Sequence, residues 1–363
     1  MPLSNKTQLG QFFSTHAEEM LQDFHPFIEN KECLDPFAGK HDLLHWAHSK
    51  NARSISGFDI DLSIHPSSSY NDSLISIPYS PFLITNPPYL AKNKMNAVQK
   101  NKYMKDCPYD DLYMLALDRI VASKTEEGIV ILPINFLSAE NAQPIRKLFF
   151  SHYSIAKCRY FTEPMFDDTS YNVVAFYFVK QPSKNIVIES YPDSEILSID
   201  LDDHFNLKNE TIEKIRATPS CLYRLTEDHI IDNPGTLPIS CYFNDRDHVK
   251  QYTINESLFS KIQNNIIVMN CIDSTEKKIC LEDRRNFNTY PIVGKSTSRN
   301  LAYVITPWTI SEQEQIIEKT NSLLSQLRKE TMSLFLTNFR DKNRKRIGFD
   351  FFYKMMTYCH SLK

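Results

Sequence analysis

Glycine is scarce, with seven in 363 residues, or about 2% where globular chains average near 7%. That excludes collagen-like and glycine-rich linker architectures. It gives weight to Gly10, Gly39 and Gly57, all within the first sixty residues, each expected where a turn or a close ligand approach demands it. None of the eight cysteines (Cys33, Cys107, Cys158, Cys221, Cys241, Cys271, Cys280, Cys359) forms a C-x-x-C pair, which argues against a zinc ribbon, a thioredoxin motif and a disulfide scaffold alike. Dispersed thiols suit small buried hydrophobes in a reducing compartment, and no metal is expected. No apolar run approaches ~18 residues, and the opening MPLSNKTQLG has no apolar leader core. The expectation is a soluble, intracellular protein, neither secreted nor membrane-bound. Neither sign of charge dominates. Forty-one basic against 44 acidic residues leave −3, which excludes a uniformly basic DNA coat and leaves room for a local basic groove.

At one to two hundred residues per domain, the length suggests two domains. Hydrophobic residues at 42% and charged ones at 23% are ordinary for a chain that buries a full core. The first half alternates strand and helix signals. Thr15 to Glu18 has the spacing of a capping box and predicts a helix start. Glu32–Leu34, Ser54–Ile60, Phe82–Thr85, Ile129–Leu132, Ser154–Phe161 and Val173–Val179 read as strands. Helices are expected from Asp42 to Trp46 and from Asp110 to Ala122, the latter with Leu112, Leu115, Ile120 and Val121 at helical spacing. Alternation of this kind predicts an α/β domain with a mostly parallel sheet. Beyond about residue 200, short apolar runs (Ile266–Met269, Ile279–Leu281, Tyr303–Ile305) precede a long helical pattern from Ser311 to about Asn338 and a basic tail. This predicts a second, α+β domain, with the division at 1–205 and 206–363.

The most informative residues are Asn86-Pro87-Pro88-Tyr89, directly after the apolar run Phe82–Thr85. Open α/β sheets build their sites at the carboxyl ends of strands. A conjugated amino group such as adenine N6 is a poor nucleophile, because its lone pair is delocalised into the ring. The Asn86 side-chain oxygen and the Pro87 carbonyl can both accept from that NH₂, favouring a pyramidal nitrogen whose lone pair is aimed at an incoming methyl. This is stabilisation by preorganised dipoles. Tyr89 offers a flat face for a base, worth roughly 1–3 kcal/mol. Upstream, Leu34-Asp35-Pro36-Phe37-Ala38-Gly39 ends the first strand, and Gly57-Phe58-Asp59-Ile60-Asp61 ends the next with an acid, suited to the ribose hydroxyls of a nucleoside cofactor. Asn71-Asp72 follows, in a position to bond an adenine edge.

Taken together, these motifs resemble the gamma group of S-adenosylmethionine-dependent N6-adenine DNA methyltransferases, the NPPY type found in type II restriction-modification systems. Leu9-Gly10-Gln11-Phe12-Phe13-Ser14 is similar to the family's N-terminal motif, with Ser14 in place of its threonine. The resemblance implies a Rossmann-like class I methyltransferase domain followed by a C-terminal target-recognition domain. It implies S-adenosylmethionine contacts from Phe13, Ser14, Asp35, Phe37, Gly39, Asp59, Ile60, Asp72 and Asn86. It implies catalytic roles for Asn86, Pro87 and Tyr89, and it makes Phe166 the aromatic that sandwiches a flipped base. Asp111-Leu112-Tyr113 matches the helix motif beside the site. The likeness covers roughly residues 6–180. Too few positions separate Asp35 from Asn86 to hold a recognition domain, so recognition falls C-terminal, as in the gamma order. One departure stands out: the family's cofactor loop carries Gly-x-Gly, and here it reads Gly39-Lys40-His41.

The implied partner is double-stranded DNA, with a cognate restriction endonuclease acting on the same site, and the implied enzyme is a cytoplasmic monomer. Candidate phosphate contacts form three basic clusters. The first, after the catalytic loop, contains Lys92, Lys94 and Lys102; the second Arg284 and Arg285; the third Arg340, Arg344, Lys345 and Arg346. Two other readings remain open. One is a methyltransferase on RNA adenine or a glutamine side-chain amide, where the same tetrapeptide chemistry serves. The other is an inactive DNA-binding subunit, for which only His41 speaks.

Overall fold

A computed structural model describes residues 10, 12–167, 171–274, 277–286, 290–338 and 344–362, residue 338 by its backbone only. The chain divides into two compact units, Met1–Lys208 with Asn338–Asn343, and Asn209–Thr337 with Arg344–Lys363.

In the first unit the apolar runs become strands and the amphipathic stretches become helices. The order is α1 (Ala17–Leu21), β1 (Glu32–Asp35), α2 (Asp42–Ser49), β2 (Ser54–Asp59), β3 (Ser69–Tyr70), β4 (Phe82–Thr85), α3 (Ala97–Tyr103), α4 (Leu112–Ala122), β5 (Glu127–Pro133), α5 (Gln143–Phe150), β6 (Ser154–Phe161), β7 (Val173–Val179), β8 (Asn185–Tyr191) and β9 (Ile196–Asp200). They form one sheet in the order β3-β2-β1-β4-β5-β7-β6-β8-β9. The pairings from β3 across to β5 are parallel, and β7 enters antiparallel between β5 and β6. β4 and β7 are buried almost throughout, as strands covered on both faces must be. Strand order reverses between β1 and β4, so the crevice at their carboxyl ends is a topological switch point, where open α/β sheets bind ligands.

Two local expectations are corrected, the first in this unit and the second across both. Thr15 does not cap α1: His16 holds the N-cap position without a side-chain bond, while the Thr15 hydroxyl donates to Asp167 at 3.0 Å. A tertiary carboxylate has won the hydroxyl that the capping box needed. Of the eight free cysteines, five are buried, but Cys221 is exposed, so burial does not explain every thiol.

The second unit is α+β. Its sheets are β10-β16-β13-β14 and β12-β11-β15, built from β10 (Tyr223–Arg224), β11 (Pro234–Phe243), β12 (Val249–Ile254), β13 (Ile267–Asn270), β14 (Cys280–Asp283), β15 (Ile292–Val293) and β16 (Leu301–Ile305), with helices α6 (Glu210–Ala217), α7 (Glu256–Gln263), α8 (Ile310–Glu330) and α9 (Phe349–Ser361). Its core joins Leu225, Ile254, Ile262, Val268, Ile292 and Tyr303. The long helix opens on a capping box, Thr309 with Glu312, and stops at Glu330 rather than near Asn338. Met332 and Ser333 adopt φ of 47° and 64°, and successive left-handed residues reverse the chain. The segment read as a basic tail contains α9, which buries Phe352, Met355, Met356 and Cys359. Among the described residues, no helix is long and apolar enough to cross a membrane.

Candidate active site and cofactor pocket

β1 and β4 end side by side, which brings Asp35 and Asn86 to one crevice. Asp35 is buried, and its Oδ1 accepts from the backbone N–H of Phe37 (2.9 Å) and the hydroxyl of Thr85 (2.7 Å). Those bonds favour the carboxylate, but burial outweighs them and raises its pKa to about 7, with Asp59 and Asp42 adding repulsion. Asp59, at the end of β2, accepts from the N–H of Gly39 (2.9 Å) and of Asp61 (2.8 Å). Burial raises its pKa too. Gly39 has φ +48°, and a Cβ there would lie 3.2 Å from the Phe13 ring, so the cofactor loop needs its glycine for both backbone and space.

These residues wall a solvent-open pocket of about 670 Å³, lined among others by Phe13, Phe37, Gly39, Asp59, Ile60, Asp72 and Asn86. A smaller adjoining pocket shares Phe13, Phe37, Gly39 and Asn86 and adds Ser14, Asp35 and Asp42. All nine residues expected around the cofactor thus line these two spaces, and Asn86 lines both. The fit to a nucleoside cofactor with a cationic tail rests on this lining. Aromatic rings and Ile60 border the space beside Asp59, while poorly solvated carboxylates border the end beside Ser14.

Asn86 is held from both ends of its amide. Nδ2 donates to the Phe12 carbonyl (2.8 Å) and to the Ser14 hydroxyl (3.1 Å), and Oδ1 accepts from the Tyr89 hydroxyl. A carbonyl can only accept, so the Phe12 contact fixes which end of the amide is nitrogen. The Tyr89 hydroxyl also faces the Ile131 carbonyl at 2.8 Å, so two acceptors share its one proton. Burial, reinforced by the nearby Asp111, raises the Tyr89 pKa well above the ordinary tyrosine value and keeps the hydroxyl protonated. The loop is further held by the Tyr89 N–H donating to the Gly10 carbonyl at 3.0 Å. A Cβ on Gly10 would lie 2.8 Å from the Tyr89 carbonyl oxygen, and Gly10 has φ +67°. Just beyond, Asp111 caps α4 and accepts from the Leu90 N–H at 2.9 Å.

The aromatic residues depart from the sequence expectation. Tyr89 is only 3% exposed, and Phe12 is stacked on it at 5.5 Å between centroids. Phe166 is also buried, 6.2 Å from Phe12 and 6.4 Å from Tyr89. The ring face that the sequence offers to a base is therefore covered by Phe12, a residue quoted within the N-terminal motif but given no role.

Among the basic residues, Lys102 has a different partner from the one expected. Its ammonium lies 2.6 Å from Asp72, whose other neighbour is the Tyr103 hydroxyl at 3.0 Å. Asp72, expected to read an adenine amino group, is thus engaged by α3, and Tyr103 and Gln99 of that helix join the pocket wall. Sequence reading missed both, since nothing local marks a helix that folds back over a pocket. Thr85 reads in sequence as a strand residue and no more, although a hydroxyl ending a buried strand beside an acid was the available signal.

Lys92 and Lys94 form a short helical turn just after the catalytic loop. Arg285 is paired with Asp283 and with Glu314 at 2.5 Å. Arg284 donates to the Asn265 carbonyl at 3.1 Å. Burial lowers the Lys345 pKa to about 8, with Arg328 nearby, and it also lowers that of Arg346. Arg344, which precedes Lys345 in the chain, is half-buried. Leu9, Gln11 and Arg340 lie outside the described residues.

His41, in place of the loop's second glycine, takes the left-handed conformation a glycine would supply, with φ +67° at the N-cap of α2. Its buried ring stacks on His65 at 3.7 Å. Burial lowers its pKa to about 4, with His65 and His45 acting in the same direction. The loop geometry therefore survives the substitution.

Residues 82–166 match the Eco57I restriction-modification methylase family. The type II methyltransferases M.HincII and M.HindII, both from Haemophilus influenzae, are each 30% identical to the chain over 234 residues, 59% of its length. The match covers 44% of M.HincII and 43% of M.HindII, so the chain spans less than half the length of these curated relatives. The type IIL restriction-modification enzyme MmeI, solved in complex with DNA, aligns with a TM-score of 0.52 at 11% identity, over 92% of this chain and 63% of that one. At that identity the likeness shows the fold alone, and it extends across both units. On the segment from β4 through the Asn86–Tyr89 loop to Phe166, the chain is similar to the restriction-modification methylases.

Proposed function

We propose that the protein is a site-specific DNA adenine-N6 methyltransferase that uses S-adenosylmethionine and acts on an adenine flipped out of the duplex. Residues 1–205 are the catalytic domain in this reading, and 206–363 the target-recognition domain. The observation that carries it is the place of Asn86: at the carboxyl end of β4, on the wall common to both pockets, with its amide orientation imposed by Phe12 and Ser14. The family match over that segment and the DNA-bound relative of similar fold support the choice of substrate.

S-adenosylmethionine, when bound, supplies a methyl group on a cationic sulfur that departs as a neutral thioether. Asp59 suits its ribose hydroxyls, and Asp35 its cationic end. Asn86 Oδ1 has two lone pairs. With one facing the Tyr89 hydroxyl, the other accepts a hydrogen bond from one N6–H while the Pro87 carbonyl accepts from the second, and the methylated nitrogen then releases one of these protons to water. Both acceptors are preorganised, so their dipoles need no rearrangement as charge develops on the nitrogen. Reaching N6 requires taking the base out of the stack, and the rings of Tyr89 and Phe166 receive it once Phe12 has left the Tyr89 face. A restriction endonuclease with the same target is the natural partner of such an enzyme, which acts as a monomer.

Plasmid DNA from cells expressing the protein tests this reading by single-molecule sequencing for N6-methyladenine. One short motif modified throughout is expected. Unmodified DNA from soluble protein that still binds S-adenosylmethionine would overturn the DNA substrate.

A further inference from the structure

Next to the cofactor loop, three imidazoles converge that the proposed methyl-transfer site does not use. His41 caps α2 and His45 follows four residues later, so one helical turn sets them on the same side; their ring centroids are 6.1 Å apart. His65 comes from the loop between β2 and β3, stacked on His41 at 3.7 Å and lying 5.9 Å from His45. One ring nitrogen from each of the three lies within 4.8 Å of the others. We propose that His41, His45 and His65 form a binding site for a divalent transition-metal ion, zinc in the first instance.

The donor set argues for the class of ion. Three imidazoles with no carboxylate among them suit zinc and its neighbours, whereas magnesium and calcium require oxygen ligands. Tetrahedral zinc with Zn–N bonds of about 2.0–2.1 Å sets its nitrogens about 3.4 Å apart. The nitrogens, within 4.8 Å of one another, must therefore draw closer, and the His65 ring must turn out of its stack on His41 so that both lone pairs meet at the ion. His45 is exposed and His65 half-buried, so both have freedom to turn while buried His41 stays fixed.

His41 also has a supporting partner of the kind metal-bound histidines use. Its Nε2 lies 2.8 Å from the Ser68 hydroxyl; with Nε2–H donating to that oxygen, Nδ1 keeps the lone pair that an ion needs. Behind it, Gly57 leaves the ring its space, since a Cβ there would lie 2.8 Å from Nε2. An ion held here would tie the loop that starts α2 to the loop after Asp59. The fourth position faces solvent through His45 and would be filled by water.

The proposal does not depend on the reaction the protein catalyses, and its test reads metal directly. Full-length protein without a polyhistidine tag is stripped with a chelator, dialysed against zinc and assayed for bound metal. One equivalent is expected. His45→Ala and His65→Ala should each bind at least tenfold more weakly, while His48→Ala, an exposed histidine on the same helix, should bind like the native chain. Zinc should raise the melting temperature of the native protein and of His48→Ala but not of the other two variants, and magnesium should raise none. Circular dichroism checks that each variant is folded. Zinc retained equally by the native protein and His45→Ala, or by neither, overturns the site.

Discussion

At the residue scale, two side chains answer to direct measurement. Asn86→Ala removes both the acceptor proposed for the target nitrogen and the amide that bridges Phe12 and Ser14. Methyl transfer from labelled S-adenosylmethionine should fall by about 10²–10³, the usual loss for one preorganised hydrogen-bonding group. Cofactor affinity, read by calorimetry, should change by less than about tenfold, because the rest of the pocket wall is intact. Asp35 makes a second prediction. Its pKa of about 7 reflects burial, which outweighs the bonds from Thr85 and Phe37, and a cationic ligand favours the ionised form. Binding of S-adenosylmethionine near pH 7 should therefore expel a fraction of a proton. Affinity should rise with pH up to about 7 and flatten above it. Calorimetry in buffers of different ionisation enthalpy measures that proton, and Asp35→Asn should abolish its release. Proton uptake on binding would contradict this account of the pocket.

At the element scale, the catalytic loop is positioned by what precedes and follows it. Gly10 packs against its backbone from one side, and the start of α4 holds it from the other through Asp111. Burial raises the pKa of Asp111 to about 7 against the opposing bonds from the N–H groups of Tyr113, Leu90 and Leu112. A carboxyl raised in the folded state binds its proton more tightly there than in the unfolded chain. The stability this contributes is complete below about pH 4 and is lost as pH rises towards 7. Asp35 adds to the same slope. Asp111→Asn keeps a good N-cap and removes one titration. Urea unfolding between pH 4.5 and 7.5, a range set by those pKa values of about 4 and about 7, should show native stability falling. The variant should show a shallower fall, the difference being on the order of 2–4 kcal/mol. Parallel slopes for the two proteins would mean that Asp111 does not titrate there.

At the scale of the whole molecule, a net charge of −3 means that the proposed DNA binding must rest on local cations. Two of those expected in the sequence are paired with acids: Lys102 with Asp72, Arg285 with Asp283 and Glu314. Lys92 and Lys94 are candidates for binding phosphate by their place immediately after the Asn86–Tyr89 loop. The double variant Lys92→Ala/Lys94→Ala should flatten the slope of log affinity against log salt by about 0.9 for each phosphate that is no longer neutralised. Its effect should be similar on cognate and unrelated duplexes, measured by fluorescence anisotropy. An unchanged slope would assign phosphate binding to other cations.

Some of this protein is local, and its sequence alone determined it. Phe82–Thr85 is a buried strand because a short, continuously apolar run has no polar face to turn to water, and Asn86-Pro87-Pro88 ends it because proline cannot extend the ladder. The places of Asp35 and Asp59 were legible too, since each ends a strand of the same sheet. The helix α9 was also legible in principle, with Phe352, Met355, Met356 and Cys359 at i, i+3, i+4 and i+7, but the basic residues just before it mask the pattern. Only the tertiary structure decided what depends on groups distant in the chain. The Thr15 hydroxyl went to Asp167, 152 positions away, rather than to its own helix. Phe12 covered Tyr89, α3 carried Lys102 and Tyr103 to Asp72, and His65 joined His41 and His45. Periodicity and turn chemistry record what a segment does with its own backbone. Which side chain wins a shared hydroxyl, carboxylate or ring face depends on burial and distance, and those exist only once the chain has closed on itself.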